Sequence, residues 1–187
     1  MRKLFFCCFI LSVIFPRFSF ADTLYVSQID HPLQVGRYLG LLEDPEGKMT
    51  ILQVMQTPAG FKSVTTQVPV FAEKDSYVWA RLTIVNVTGR HLWLGIGNPV
   101  TDTVLYYESS PAGLVEKLSG DKVAFARRDI RSSRILFHIT NTTSPVTIYL
   151  RLNIRLPRQF PVYVTNADAS MQGDNTSFFV DGLFYGL

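Results

Sequence analysis

The chain has 187 residues, of which 47% are hydrophobic, and its 18 basic and 15 acidic side chains give a net charge of +3. Arg2, Lys3, Arg17 and both cysteines lie within residues 1–21, so the rest of the chain has 15 basic residues, 15 acidic residues and no cysteine. The positive net charge is therefore a property of the first 21 residues and gives no argument for nucleic acid or an anionic membrane surface as a partner. The absence of cysteine excludes disulfides and thiolate chemistry beyond residue 21.

The first 21 residues are organised like a secretory signal peptide. A basic start at residues 1–3 precedes an apolar run from Leu4 to Phe15, and the small residues Ser19 and Ala21 end the segment. This order predicts cleavage after Ala21 and export of the remaining chain. An uncleaved membrane anchor is the alternative, but so short an apolar run falls well below the ~20 residues of a span.

Alternation with a period of two dominates the chain after the leader and predicts β-strands. In residues 77–87 (YVWARLTIVNV) and 146–156 (VTIYLRLNIRL), aliphatic side chains share one face, while most aromatic, arginine and polar ones share the other. Shorter strands are predicted at TLYVS, HLWLGIG, TVLYYES, RILFHIT and FPVYVT. With polar turns between them, these segments favour one all-β domain over residues 22–165, an antiparallel two-sheet β-sandwich. The stretch MTILQVMQ, residues 49–56, fits either a strand or a short helix.

The C-terminal part of the sequence differs from the sandwich in composition. Residues 166–177 are small and polar with little periodicity, which predicts a linker. Residues 178–187 (FFVDGLFYGL) are apolar, and the spacing of Gly182 and Gly186 suits one face of a helix better than the interior of a strand. This segment is too short to cross a bilayer by itself.

The sequence carries no recognisable enzymatic or metal-binding signature. It contains no G-x-S-x-G, P-loop or G-x-G-x-x-G motif. The histidines His31, His91 and His138 are scattered without metal-ligand spacing. We therefore expect no catalytic residue, no metal and no cofactor. We interpret Asp102 and Glu108 as surface charges near strand ends, although a carboxylate pair that meets only in space stays open.

Arginines inside two predicted strands are the candidate ligand-binding residues. Arg81 follows Trp79 on one face of its strand, and Arg151 follows Tyr149 in the same way. A guanidinium beside an aromatic ring can hydrogen-bond hydroxyls or carboxylates while the ring stacks on a sugar or another apolar face. In the alternative, these arginines pair with acidic residues on neighbouring strands, and their stems cover the sheet.

Several stretches in order resemble one family across residues 24–164. They are YLGLLEDPEGKMTILQV, YVWARLTIVN, LWLGIGNPVTDTVLYY, SGDKVAFARRDI, RILFHI, TIYLRL and QFPVYV. Their order is similar to that of the periplasmic sensor domain, of the second extracellular type, found in bacterial seven-transmembrane receptors with diverse intracellular signalling modules.

The resemblance implies a jelly-roll-like β-sandwich akin to carbohydrate-binding modules. It also implies that recurring family residues fall on Arg81, Arg128 and Arg151, on Asp121, and on the Asn98-Pro99 loop. The doubled Arg127-Arg128 leaves the position of the second arginine uncertain by one residue. The candidate ligand-binding set is therefore Trp79, Arg81, Arg128, Tyr149 and Arg151.

The function implied by the resemblance is ligand sensing outside the bacterial inner membrane. The ligand would be a carbohydrate or a carboxylated small molecule, and residues 178–187 would begin the first of seven transmembrane helices that lead to a cytoplasmic output module. The alternatives are a protein-interaction module that forms a homodimer or docks a partner receptor through an exposed sheet edge or apolar face, and a secreted glycan-active enzyme.

Overall fold

The computed structural model describes residues 22–71, 76–97, 101–110, 113–154 and 158–170. The predicted signal peptide and the predicted start of a transmembrane helix, residues 178–187, lie outside these ranges. Within them, no helix combines the length and apolar character needed to cross a bilayer.

Strands make up most of the regular structure in the described residues. In chain order they are β1 (Leu24–Val26), β2 (Leu33–Gln34), β3 (Gly40–Asp44), β4 (Lys62–Ser63), β5 (Val70–Phe71), β6 (Ser76–Asn86), β7 (Trp93–Ile96), β8 (Val104–Ser110), β9 (Gly113–Ser119), β10 (Ile135–His138), β11 (Val146–Ile154), β12 (Arg158–Gln159) and β13 (Val162–Thr165). Helical segments are α1 (Ile51–Met55) and short 3-10 turns at Gly36–Tyr38, Pro58–Gly60 and Phe125–Arg127. Residues 167–170 form one further helical turn.

These strands form a sandwich of two main sheets, which confirms the predicted fold class. The large sheet has the order β4-β3-β6-β11-β8-β9, and the small sheet has the order β10-β7-β13-β2. Neighbouring strands within these orders are antiparallel, whereas β1 adds to the end of β6 in parallel. A separate pair, β5 with β12, completes the described sheet structure.

The core lies between the two sheets and is built by the alternation seen in the sequence. The inward side chains of β6 and β11 are at most 3% exposed; they are Val78, Ala80, Leu82, Ile84, Val146, Ile148, Leu150 and Leu152. They pack against the small sheet, including Leu94, Ile96, Phe137, Val162 and Val164. Because every second residue of β6 and β11 faces this core, the remaining residues lie on the opposite face of the large sheet. We call that opposite face the outer face.

Glu108 corrects one expectation, because it is a core residue and not a surface charge. Its side chain is fully buried on the inner face of β8. The Tyr106 hydroxyl donates a hydrogen bond of 2.5 Å to Oε2, and the backbone N–H of Thr140 donates a second of 3.2 Å. Burial, with Glu108 as a further cause, raises the pKa of Tyr106 well above its usual value. The sequence could not show this, because the compensating donors come from the same strand face and from a distant loop.

The ambiguous stretch MTILQVMQ forms a helix. Thr50 is the N-cap of α1, and its Oγ1 accepts a hydrogen bond from the backbone N–H of Gln53. The Gln53 side chain accepts the backbone N–H of Thr50 in return, at 2.8 Å. This capping box satisfies two donors that the start of a helix leaves without partners, which favours the helix over a strand.

The first residues of the predicted linker pack against the sandwich. Asn166 is 3% exposed, and its Nδ2 donates to the carbonyl of Ile29 at 3.2 Å. Its Oδ1 accepts the backbone N–H of Ala169, so Asn166 caps the helical turn at residues 167–170. Residues 171–177 of that linker lie outside the described residues.

Candidate functional site

Four of the five candidate residues come together on the outer face. In the register of β6 and β11, Arg81 lies opposite Tyr149, and Trp79 lies opposite Arg151. Directly opposed residues on one face have Cβ atoms about 4.5–5.5 Å apart, and diagonal neighbours are within reach of long side chains. The two arginines are such diagonal neighbours. The fifth candidate, Arg128, lies elsewhere.

A second apolar cluster occupies part of the outer face. It consists of Val54, Phe61, Trp79, Tyr107 and Tyr149, with partly buried Leu42, Met49, Ile51, Met55 and Leu105 packed against it. The segment at residues 45–61, which contains α1 and which we call the cap, supplies several of these side chains. Trp79 is therefore only 1% exposed, and its ring has almost no surface left for a ligand.

Asp44 organises the turn that begins the cap, and the sequence reasoning did not single it out. Its carboxylate accepts the backbone N–H groups of Lys48 and Met49, at 3.1 and 3.0 Å. It also accepts the indole N–H of Trp79 at 3.3 Å, and its side chain is buried. The Asp-Pro-x-Gly turn in the sequence was the available signal, since aspartate in a turn commonly bonds backbone N–H groups a few residues later.

Arg151 holds the far end of the same turn. Its Nη2 donates to the carbonyl of Gly47, and its Cζ lies 4.7 Å from the ring centroid of Tyr77. Gly47 has φ +63°, and a Cβ there would lie 2.4 Å from the Tyr77 ring, so only glycine fits. Part of the role of Arg151 is therefore structural.

Arg81 has a different environment from Arg151. Its side chain is half-buried, and its Cζ lies 4.5 Å from the ring centroid of Phe61. Among the described residues, its guanidinium has no hydrogen-bond acceptor and no ion-pair partner. A guanidinium stacked on an aromatic ring keeps its in-plane N–H donors directed outward, so Arg81 is available to bind an oxygen-rich ligand.

Two tyrosines extend the site from Arg81 towards β8. Tyr149 lies opposite both Arg81 and Tyr107, and the two phenols are mostly buried. Burial raises the pKa of Tyr149 from its usual value, while nearby Arg81 opposes the shift. Burial, followed by the charge of Glu116, likewise raises the pKa of Tyr107, and Arg151 lowers it. Both hydroxyls are therefore neutral at physiological pH and can donate or accept hydrogen bonds.

Arg128 holds a loop and does not lie on the outer face. Its Nε donates to the carbonyl of Val123 at 3.1 Å, and its Nη1 donates to the carbonyl of Ser132 at 2.9 Å. Arg127 is exposed, so the structure shows which of the paired arginines makes internal contacts. We propose that Arg128 stabilises the loop between β9 and β10 and does not contact a ligand.

We expect Arg128→Ala to lower the free energy of unfolding by about 2 kcal/mol, because two carbonyls lose a charged donor. For a chain of this length the melting temperature should fall by roughly 4–8 °C. Arg127→Ala is the matched control and should change stability by less than about 0.5 kcal/mol. Denaturant unfolding of both variants measures the difference, and equal losses would contradict the assignment.

Two cavities lined by described residues lie near the large sheet. One, of about 280 Å³, is lined by Tyr77, Asp102, Thr103, Leu105, Lys122, Arg151 and Asn153. The other, about 470 Å³, lies beside β3 and β4, and its charged lining residues are Glu43 and Lys62. None of the five candidate residues lines the larger one. In the described part of the chain, no group of three or more His, Cys, Asp or Glu residues is placed to hold a metal ion.

Most of the chain matches one family model. The sequence model of 7TMR-DISM extracellular 2, a domain of the seven-transmembrane receptors with diverse intracellular signalling modules, matches residues 36–166. The chain belongs to this family. The matched range of the 7TMR-DISM extracellular 2 domain contains Arg81 and its neighbours on the outer face, the cap and both cavities, so the candidate site lies within the sensor domain.

The similarity of the chain to a solved structure is low. No curated protein matches the chain. One solved structure, concerned with the promiscuous specificity of carbohydrate-binding modules of the β-sandwich superfamily, is 12% identical with a TM-score of 0.27. The match covers 76% of this chain and 60% of that one, so this domain spans less than two thirds of the solved chain. A similarity at this level says nothing about what the 7TMR-DISM domain binds.

Proposed function

We propose that this 7TMR-DISM extracellular 2 domain senses a carbohydrate or a carboxylated small molecule, bound on the outer face at Arg81. The single observation that carries the proposal is the half-buried guanidinium of Arg81, which stacks on Phe61 and has no acceptor among the described residues. A partly desolvated charged donor without an acceptor costs free energy, and a ligand hydroxyl or carboxylate would remove that cost.

The neighbours of Arg81 support a ligand with both polar and apolar surfaces. Tyr149 and Tyr107 lie in the same row of the sheet as Arg81 and are 7% and 9% exposed, and their hydroxyls are neutral because burial raises both pKa values. Aromatic rings accept the apolar face of a sugar ring, while hydroxyl and guanidinium groups bind its oxygens. The same groups suit a small carboxylic acid, with the carboxylate on Arg81.

Membership in the family supports a signalling role. We propose that the domain is exported, that the segment after residue 177 enters the inner membrane, and that ligand binding is passed to a cytoplasmic output module. Binding changes a receptor's state only when the ligand has different affinities for the two states. Contacts between the ligand and the cap would provide such a difference, because the cap is a separate segment packed on the sheet.

Titration calorimetry with the full chain tests the proposal directly. The ligand panel should contain neutral monosaccharides, uronates and small carboxylic acids at concentrations up to several millimolar. We expect saturable binding by at least one member, with a dissociation constant in the micromolar to low millimolar range. Absence of binding by every member would overturn the assignment of the ligand class.

The exposed edge of β9 favours a second candidate function, homodimerisation. β9 ends the large sheet, and four successive residues of it, Gly113–Glu116, are exposed, with Leu114 and Val115 45% and 40% accessible. An exposed apolar edge strand can pair with the same strand of a second copy. We expect sedimentation equilibrium to show a concentration-dependent dimer that a Leu114→Lys, Val115→Lys double variant removes. A monomer at all concentrations would rule this function out.

A further inference from the structure

Arg151 forms part of the wall of the smaller cavity. The cavity therefore lies beside the pair that Trp79 and Arg151 form on the outer face. Its walls come from β6, β8 and β11 and from the turn after β9. A volume of about 280 Å³ is near the lower end of the ~300–1,000 Å³ of small-molecule pockets, enough for one monosaccharide unit. The charges and polar groups of the lining residues indicate which class of monosaccharide the cavity fits.

Among the described residues that line the cavity, positive charge exceeds negative charge. Arg151 and Lys122 supply two cations, and Asp102 supplies one carboxylate. Lys122 Nζ lies 2.8 Å from Asp102 Oδ2, so this pair is already neutralised. Arg151 forms no ion pair with any described residue, and its Nε–H is buried without an acceptor. One further negative charge would therefore balance the charges of the described lining residues.

The backbone fixes the positions of these charges. Gly120, after β9, has φ +136°, and a Cβ there would lie 2.6 Å from the carbonyl oxygen of Asp102. This close approach lets the backbone N–H groups of Asp121 and Lys122 donate to the carbonyls of Thr101 and Asp102, each at 2.9 Å. Lys122 is thereby placed beside Asp102, while Arg151 is held from the other side by Gly47. Such preorganisation lowers the cost of binding.

Polar and aromatic groups complete the lining. The Tyr77 ring offers an apolar surface, and Asn153 and Thr103 offer neutral donors and acceptors. Asp102 can accept hydrogen bonds from hydroxyl groups. A ligand with only a carboxylate would leave these groups unused, and a neutral sugar would leave the charge of Arg151 unbalanced.

We infer that this cavity binds the carboxylate-bearing ring of an acidic monosaccharide, with the carboxylate between Arg151 and Lys122. The inference rests on the proposed function, since it defines the ligand class more closely, but it depends on different residues from the Arg81 site. The hydroxyls of the sugar would then contact Asp102, Thr103 and Asn153 beside the Tyr77 ring.

Calorimetry with galacturonate and galactose tests the inference, because these two probes differ only in the group at C6. We expect the full chain to bind galacturonate at least about tenfold more tightly than galactose, since a charge-assisted hydrogen bond is gained. Lys122→Gln should reduce this preference several-fold, and Arg151→Gln should abolish it. Arg127→Gln, an exposed arginine outside both sites, is the control and should keep the wild-type preference.

The test uses two variants so that it remains conclusive if one of them fails to fold. Arg151→Gln removes the bond to Gly47 as well, whereas the Lys122 side chain is 62% exposed, so we expect its replacement to preserve the fold. Equal affinities for galacturonate and galactose, or an unchanged preference in both variants, would overturn the inference while leaving the proposed function standing. Failure of both sugars to bind would overturn the inference, and failure of the whole panel would overturn the proposed function with it.

Discussion

We expect Arg81→Ala to weaken binding of the ligand found by calorimetry by about 10–100-fold, because it removes charged donors that have no acceptor among the described residues. The same change should lower the melting temperature by only about 1–4 °C, since the guanidinium makes no hydrogen bond or ion pair within the described residues. Only the stacking on Phe61 is lost, worth about 0.5–1 kcal/mol at a partly exposed site. A large effect on binding with a small effect on stability distinguishes a ligand-contacting arginine from a structural one.

Two further variants serve as comparisons in this experiment, Arg81→Lys and the control Arg127→Ala. Lysine keeps the charge but loses the planar fork, so Arg81→Lys should bind with intermediate affinity if the ligand is held by two parallel hydrogen bonds. Arg127 is exposed and distant in sequence, and its replacement should preserve wild-type affinity. If Arg81→Ala folds normally and binds every ligand of the panel as tightly as the parent chain, the site does not include Arg81.

The faces of the central strands could be predicted from the sequence, because alternation with a period of two is a local property. It placed Trp79 and Arg81 on one face and Tyr149 and Arg151 on one face, and the register of β6 with β11 brings these pairs together. Alternation does not reveal which strands are neighbours, since pairing depends on contacts between residues far apart in the chain. Strands β3 and β9 were not predicted, because their sequences lack clear alternation of apolar and polar residues.

The cap could not be predicted, and it changes the interpretation of the site most. Nothing in a local pattern shows that residues 45–61 return to cover the outer face and bury Trp79 beneath Phe61 and Val54. The different roles of the three arginines could not be predicted from the sequence either. Arg128 bonds two carbonyls of its own loop, Arg151 bonds the turn that begins the cap, and Arg81 has neither kind of partner. These distinctions depend on tertiary contacts alone.

Replacing Trp79 should have a large effect on stability and not on ligand binding. We expect Trp79→Ala to lower the free energy of unfolding by about 3–5 kcal/mol, because it empties the centre of the cluster beneath the cap. For a chain of this length the melting temperature should fall by roughly 6–20 °C. Differential scanning calorimetry measures this loss, and a decrease below about 1 kcal/mol would show that the cap does not pack on Trp79 in solution.

Trp79→Phe separates packing from recognition. Phenylalanine keeps most of the buried area but removes the indole N–H that donates to Asp44, so a loss of about 1 kcal/mol is expected. Because Trp79 is 1% exposed beneath the cap, this variant should bind ligand with wild-type affinity. A stable Trp79→Phe variant that binds no ligand would instead mean that the cap opens during binding and that the ligand reaches the indole ring. The cap would then be the element whose position distinguishes the free state of the sensor from the bound state.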